Sequence, residues 1–219
     1  MANSNKAFLF DLNGTMIDDM DFHIRAWHKI LNDLGADISI ADVKKECYGK
    51  NGELLERVFP GRFSEEEKTS MSYAKETEYQ QQFKPLLKLI PGLDVFLAKT
   101  DHQKIPMAIG SAAIMFNINF VLDGLGLRHY FPSIISAESV KESKPDPETY
   151  LLCAQQLGIP AKNCIVFEDA PKGVEAAKNA GMRCVVLTTM HTKDEFGDYD
   201  NIDCFVNDYY DLQLDKLFD

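Results

Sequence analysis

The sequence is short of basic residues and of long apolar runs, and each shortage excludes something. With 23 Lys and Arg against 34 Asp and Glu, the formal charge is −11. A nucleic-acid partner needs clustered cations to displace counterions, so no nucleic-acid partner is expected, although a local basic pocket remains open. Nowhere do about 18 apolar residues run together, and no basic stretch followed by a long apolar segment opens the chain. No membrane partner is expected, and the location expected is cytoplasmic. The five cysteines, Cys47, Cys153, Cys164, Cys184 and Cys204, are odd in number, widely spaced and form no C-x-x-C pair. Buried free thiols are therefore expected in place of a disulfide framework or a zinc site. The sequence is silent on oligomeric state and is compatible with a monomer.

What is present is enough apolar sequence for one substantial core and a smaller module: 219 residues, 45% of them hydrophobic. The run Lys6-Ala7-Phe8-Leu9-Phe10 ends abruptly in Asp11-Leu12-Asn13-Gly14-Thr15. A short apolar run closed by a polar, Gly-containing turn reads as an interior parallel strand, and ligands of open α/β sheets gather at the carboxyl ends of such strands. Taken alone, Asp11 could simply bond local backbone groups. Its company is more informative: Gly110-Ser111-Ala112 after an apolar run, Lys144-Pro145-Asp146-Pro147 before a helix, and Val166-Phe167-Glu168-Asp169 closing another run.

Phe22, Ala26, Trp27, Ile30, Leu31 and Leu34 recur at helical spacing, with Asp21 as the expected cap and Gly35 as terminator. Residues 40–47, 53–59 and 64–83 read as further helices, and Ser64-x-x-Glu67 as a capping box. The fold class expected is α/β, a Rossmann-like three-layer core with a parallel sheet, formed by residues 1–18 and 88–219. Residues 19–87 are expected as a small helical cap inserted after the first strand. Later strands are expected at 106–111, 133–136, 164–167 and 183–187. Helices are expected near 93–100, after Ser111 and up to Gly126, from a cap at Asp146 with Pro147 in the first turn to Gly158, and from Gly173 to Ala180. Residues 194–219 read as a terminal strand and helix without chemistry.

In those motifs the chain resembles the haloacid dehalogenase-like phosphotransferase superfamily, in its β-phosphoglucomutase-like, cap-bearing branch, from Phe8 to about Val206. The resemblance implies a Mg²⁺-dependent phosphatase acting on a small phosphorylated metabolite, such as a sugar phosphate, through an aspartyl-phosphate. It implies Asp11 as nucleophile, and Asp11, the Asn13 carbonyl, Glu168 and Asp169 as the metal site. Leu12, Ser111, Ala112 and Lys144 are implied as the phosphate-binding groups. Transfer of a phosphoryl group asks for such parts: an in-line nucleophile, a divalent cation and donors around the equatorial oxygens.

One position departs from the family pattern. Phosphatases and mutases of the family read Asp-x-Asp, where this chain reads Asp11-Leu12-Asn13, and an amide has no proton to give near neutral pH. Turnover weaker than that of relatives is expected, unless His23 substitutes as acid and base. In the cap, Trp27 and Lys50 are the expected substrate contacts. No arginine stands where a mutase grips a second phosphate, so simple ester hydrolysis is preferred. A β-phosphoglucomutase-like mutase and a phosphate-binding domain without turnover stay open as alternatives.

Overall fold

The computed structural model describes residues 5–210 and 212–218. It divides into two compact units: Met1–Asp18 with Lys88–Asp219, and Asp19–Leu87.

The first unit is an α/β fold around a six-stranded, wholly parallel sheet. Its strands are β1 (Ala7–Phe10), β2 (Met107–Gly110), β3 (Ser133–Ile135), β4 (Cys164–Glu168), β5 (Arg183–Leu187) and β6 (Ile202–Val206), in the order β3-β2-β1-β4-β5-β6. The chain leaves β1 for β2 on one side and later returns to β4 on the other. The carboxyl end of β1 is thus a topological switch point, where crevices open in such sheets.

The period-two alternation of strand side chains separates the two faces. On one face Phe8 and Phe10 pack with Phe96, Phe131, Phe167 and Tyr209, and Phe10 stacks on Phe167 with ring centroids 4.6 Å apart. On the other, Ala7, Leu9, Ala108 and Val166 meet Tyr150, Cys153 and Ala154 together with Val174 and Ala177. Those partners come from the helices carrying residues 148–157 and 171–179.

The sequence boundaries hold closely, with instructive shifts. The helix expected to start at Asp146 and Pro147 begins one residue later, at Glu148, and ends at Leu157. Pro147 occupies its cap position, while the Asp146 Oδ1 accepts the Glu148 N–H at 2.9 Å. The expected terminal helix is only a 3₁₀ segment, Leu214–Phe218.

The second unit contains four α-helices, α1 (Met20–Asp33), α2 (Ile40–Glu46), α3 (Asn51–Val58) and α4 (Glu65–Phe83), followed by a 3₁₀ segment, Lys84–Leu86. Ser64 and Glu67 form the expected capping box. The start of α1 differs from expectation: Asp19, not Asp21, holds the cap position, and its carboxylate makes no cap bond. It instead accepts from the Tyr79 hydroxyl and from His23 Nε2, at 3.2 Å for the latter. Among the described residues no helix is long and apolar enough to cross a membrane, and all five cysteines are free.

Candidate active site

Four loops at the carboxyl ends of the parallel strands carry the polar residues singled out in the α/β unit. Asp11 follows β1, Ser111 follows β2, and Glu168 and Asp169 close β4. Lys144 arrives from the segment ahead of the helix that starts at Glu148. Its ammonium donates to Asp11 Oδ1 at 2.6 Å and to Glu168 Oε1 at 2.7 Å. All three side chains are buried, and a buried ion pair this close persists only with its remaining hydrogen-bonding capacity satisfied.

Glu168 meets that condition fully. Oε1 also accepts from the Tyr150 hydroxyl at 2.8 Å, and Oε2 accepts the backbone N–H groups of Asp169 and Ala170 at 3.0 and 3.1 Å. A Cβ on Gly173 would come within 1.8 Å of Glu168 Oε1, so the first turn of that helix needs glycine to admit the carboxylate. Both oxygens of Glu168, expected among the metal ligands, are thus turned to protein donors.

Electrostatics follow from burial. Burial pushes the Asp11 carboxyl up to about 7; Lys144 pulls it down and the Glu168 charge pushes with burial. Burial also works against the Lys144 ammonium, but Asp11 and Glu168 outweigh it and hold the group above the ordinary lysine range. The pocket carries three carboxyl groups, Asp11, Glu168 and Asp169, and Lys144 is bonded to the first two.

The loop after β1 is tied down from several sides. Gly14 N–H bonds the Ile17 carbonyl at 2.8 Å and Met16 N–H the Leu12 carbonyl at 2.8 Å. Gly14 has φ +74°, and a Cβ there would lie 2.0 Å from Asp169 Oδ2, so glycine is required twice over. The Thr15 hydroxyl donates to Asp169 Oδ1 at 3.3 Å. The Thr189 hydroxyl donates to the Gly14 carbonyl at 2.6 Å and the Tyr209 hydroxyl to the Thr15 carbonyl at 3.0 Å. Asn13 lies half-buried within this loop, in a bridge with Ile17. The Leu12 N–H faces the Asp11 carboxylate. Ser111 is buried, its Oγ accepting the Ala113 N–H at 3.2 Å, and Ala112 is half-buried beside it.

Tyr150, Thr189 and Tyr209 escaped the sequence reading as site residues. Tyr209 lies in the terminal segment expected to be without chemistry, and its hydroxyl reaches the loop that follows Asp11.

The expected cap residues lie in the helical unit. His23 is buried, its Nδ1 2.5 Å from Lys75 Nζ and its Nε2 bonded to Asp19, so both ring nitrogens are engaged within that unit. Lys75 also donates to Glu76 at 2.9 Å and stands over the Trp27 ring at 5.4 Å. Burial would raise the Glu76 carboxyl, but Lys75, His23 and the Asn51 amide together outweigh it and hold the group below the usual range. Trp27 is buried. Lys50 is half-buried at the start of α3, its N–H bonded to Glu53 Oε2 at 3.0 Å. Arg57 is spent locally, on Glu46 and on the Tyr48 carbonyl at 2.7 Å.

Comparison with known proteins is consistent with this geometry. A family model described as haloacid dehalogenase-like hydrolase matches residues 8–187. The fructose-1-phosphate phosphatase YqaB of Escherichia coli (strain K12) is 31% identical over 177 residues, 81% of this chain and 93% of its own length. The crystal structure of β-phosphoglucomutase from Clostridium difficile superposes with a TM-score of 0.81 at 29% identity, covering 97% of this chain and 95% of that one. A family IA hydrolase from Entamoeba histolytica HM-1:IMSS has the same fold, with a TM-score of 0.85 at 24% identity and 97% coverage of each chain.

Proposed function

Because the chain belongs to the haloacid dehalogenase-like hydrolases, we propose that it is a Mg²⁺-dependent phosphatase of a small phosphorylated metabolite, a sugar phosphate being the class its relatives favour. The observation that carries this is Lys144 bridging Asp11 and Glu168 at 2.6 and 2.7 Å in a buried pocket at the sheet's switch point.

The donor set suits Mg²⁺. Mg²⁺ takes hard oxygen ligands, often only one or two carboxylates with waters and substrate phosphate. Asp11, Asp169 and the Asn13 carbonyl are the groups we assign to hold the ion; the bound ion would neutralise charge on the phosphoryl group. Glu168, with its oxygens accepting from four groups, is assigned instead to anchoring Lys144.

In this reading Asp11 attacks phosphorus and forms an aspartyl-phosphate, which divides one displacement into two. Lys144, the Ser111 hydroxyl and the N–H groups of Leu12 and Ala112 hold the equatorial oxygens. Residues 19–87 play the part of a cap that excludes water. A mutase would need a cation for a second phosphate, and Arg57, bound to Glu46 and Tyr48, is poorly disposed to supply it. The test is phosphate release from a panel of sugar phosphates and other small esters, with Mg²⁺ and with chelator. Release that needs Mg²⁺ and disappears in Asp11→Ala supports a phosphatase; ligand-dependent stabilisation without release favours a binding domain.

A further inference from the structure

The first half-reaction has an acid problem. When Asp11 displaces an alcohol, the departing alkoxide must take up a proton in the transition state, and at position 13, where the family pattern has a second aspartate, this chain has an amide. Lys144, bonded to both Asp11 and Glu168, is held above the ordinary lysine range and gives up its proton poorly, and loop rearrangement offers no replacement. From Leu12 to Ile17 the side chains are Leu, Asn, Gly, Thr, Met and Ile, and the loop is pinned by Thr15 to Asp169, Thr189 to Gly14 and Tyr209 to Thr15. The segment after β2 is Ser111-Ala112-Ala113-Ile114, also without an ionisable side chain. After β5, His191 is paired with Glu195 at 2.9 Å. In the helical unit His23 is already bonded at both nitrogens, to Asp19 and Lys75.

From this we infer that the substrates this chain turns over are those whose leaving oxygen departs as a stable anion: acyl phosphates and related mixed anhydrides first, aryl and enol phosphates next, simple alkyl phosphates last. The inference rests on the phosphatase reading above and replaces its sugar phosphates, which are alkyl esters, with better leaving groups as the preferred substrates. Leaving groups span a wide range: a carboxylic acid has a pKa of about 4 and a phenol about 10, whereas an alkoxide approaches the about 15.7 of water.

For an acyl phosphate the step balances without a donor. A carboxylate oxygen of Asp11 forms the new bond to phosphorus, the bond from phosphorus to the acyl oxygen breaks, and its electron pair leaves with the carboxylate. Water then attacks the aspartyl-phosphate, Asp11 leaves as carboxylate, and the water's protons end on inorganic phosphate and solvent. This second half is common to every substrate, so discrimination appears in the first.

The experiment is a single-turnover comparison of leaving-group release from acetyl phosphate, a phenyl phosphate and glycerol phosphate, all with Mg²⁺, for the full chain and its Asn13→Asp variant. The expected result is a steep fall in rate from acyl to alkyl in the unaltered chain. In Asn13→Asp the fall should be shallower, the alkyl-to-acyl ratio rising by roughly 10²–10⁴, the contribution of a positioned acid. Equal steepness in the two proteins would overturn the inference while leaving the phosphatase reading intact. If neither protein releases any leaving group, the phosphatase reading itself fails.

Discussion

The Tyr209 hydroxyl donates to the Thr15 carbonyl at 3.0 Å, joining residues 194 positions apart. Its ring packs on Phe96 and Phe167, so the core face of the sheet fixes the hydroxyl, and the hydroxyl fixes the loop that follows Asp11. Tyr209→Phe keeps the packing and strands a buried carbonyl, at a cost of about 1–3 kcal/mol. Urea denaturation should show a lower midpoint at unchanged slope. An unchanged midpoint would show that the bond holds nothing.

Gly14 and Gly126 share a positive φ, +74° and +68°, but not their surroundings. Gly126→Ala meets nothing within 4 Å and should cost only the left-handed penalty of about 1–2 kcal/mol. Gly14→Ala must in addition displace Asp169, 2.0 Å from the new Cβ, and a shift of about 1 Å at such a site can cost about 10² in rate. Comparable turnover in the two variants would contradict the role given to Asp169.

Lys144 bridges two buried carboxyl groups. Lys144→Met leaves Asp11 facing Glu168 without their cation, and losing one partner of a buried ion pair costs about 3–5 kcal/mol. Denaturation with and without Mg²⁺ reads this: a large loss, partly recovered by the ion, is expected. A loss below about 1 kcal/mol, the range of an exposed pair, would rule out the bridge.

The Asp11 carboxyl titrates at about 7 in the fold against 3.8 in an unstructured chain. Between those values the folded protein keeps a proton that the unfolded one has released, so this contribution to stability is complete below the lower value and lost as pH rises to the upper. The metal-free protein should therefore lose stability relative to Asp11→Asn as pH rises from about 4 to 7. Parallel pH profiles for the two proteins would refute the shift. Because the ion needs the carboxylate, Mg²⁺ affinity should rise across the same window.

The sheet was legible because its strands are short apolar runs closed by polar turns. β5 falls where the continuous run Arg183–Leu187 predicts it, and Gly126 and Gly158 end their helices in the left-handed conformation. Asp11, Ser111, Lys144 and Asp169 could be picked out because each sits in a local pattern. Tyr150, Thr189 and Tyr209 could not, since a lone hydroxyl has no periodicity and its partner is chosen by tertiary packing. The same limit explains Asp19, whose position before α1 suits a cap but whose buried carboxylate bonds Tyr79 and His23 across the helical unit. Sequence spacing likewise could not show that Glu168 spends both oxygens on protein donors.

The most direct measurement is Mg²⁺-dependent phosphate release from a sugar phosphate by the unaltered chain, Asn13→Asp and Asp11→Asn side by side. Slow release by the first, release about 10²–10⁴-fold faster by the second and none by the third is the expected pattern. Release by Asp11→Asn at the rate of the unaltered chain, or an Asn13→Asp variant no faster than it, would contradict a nucleophilic Asp11 lacking only its acid.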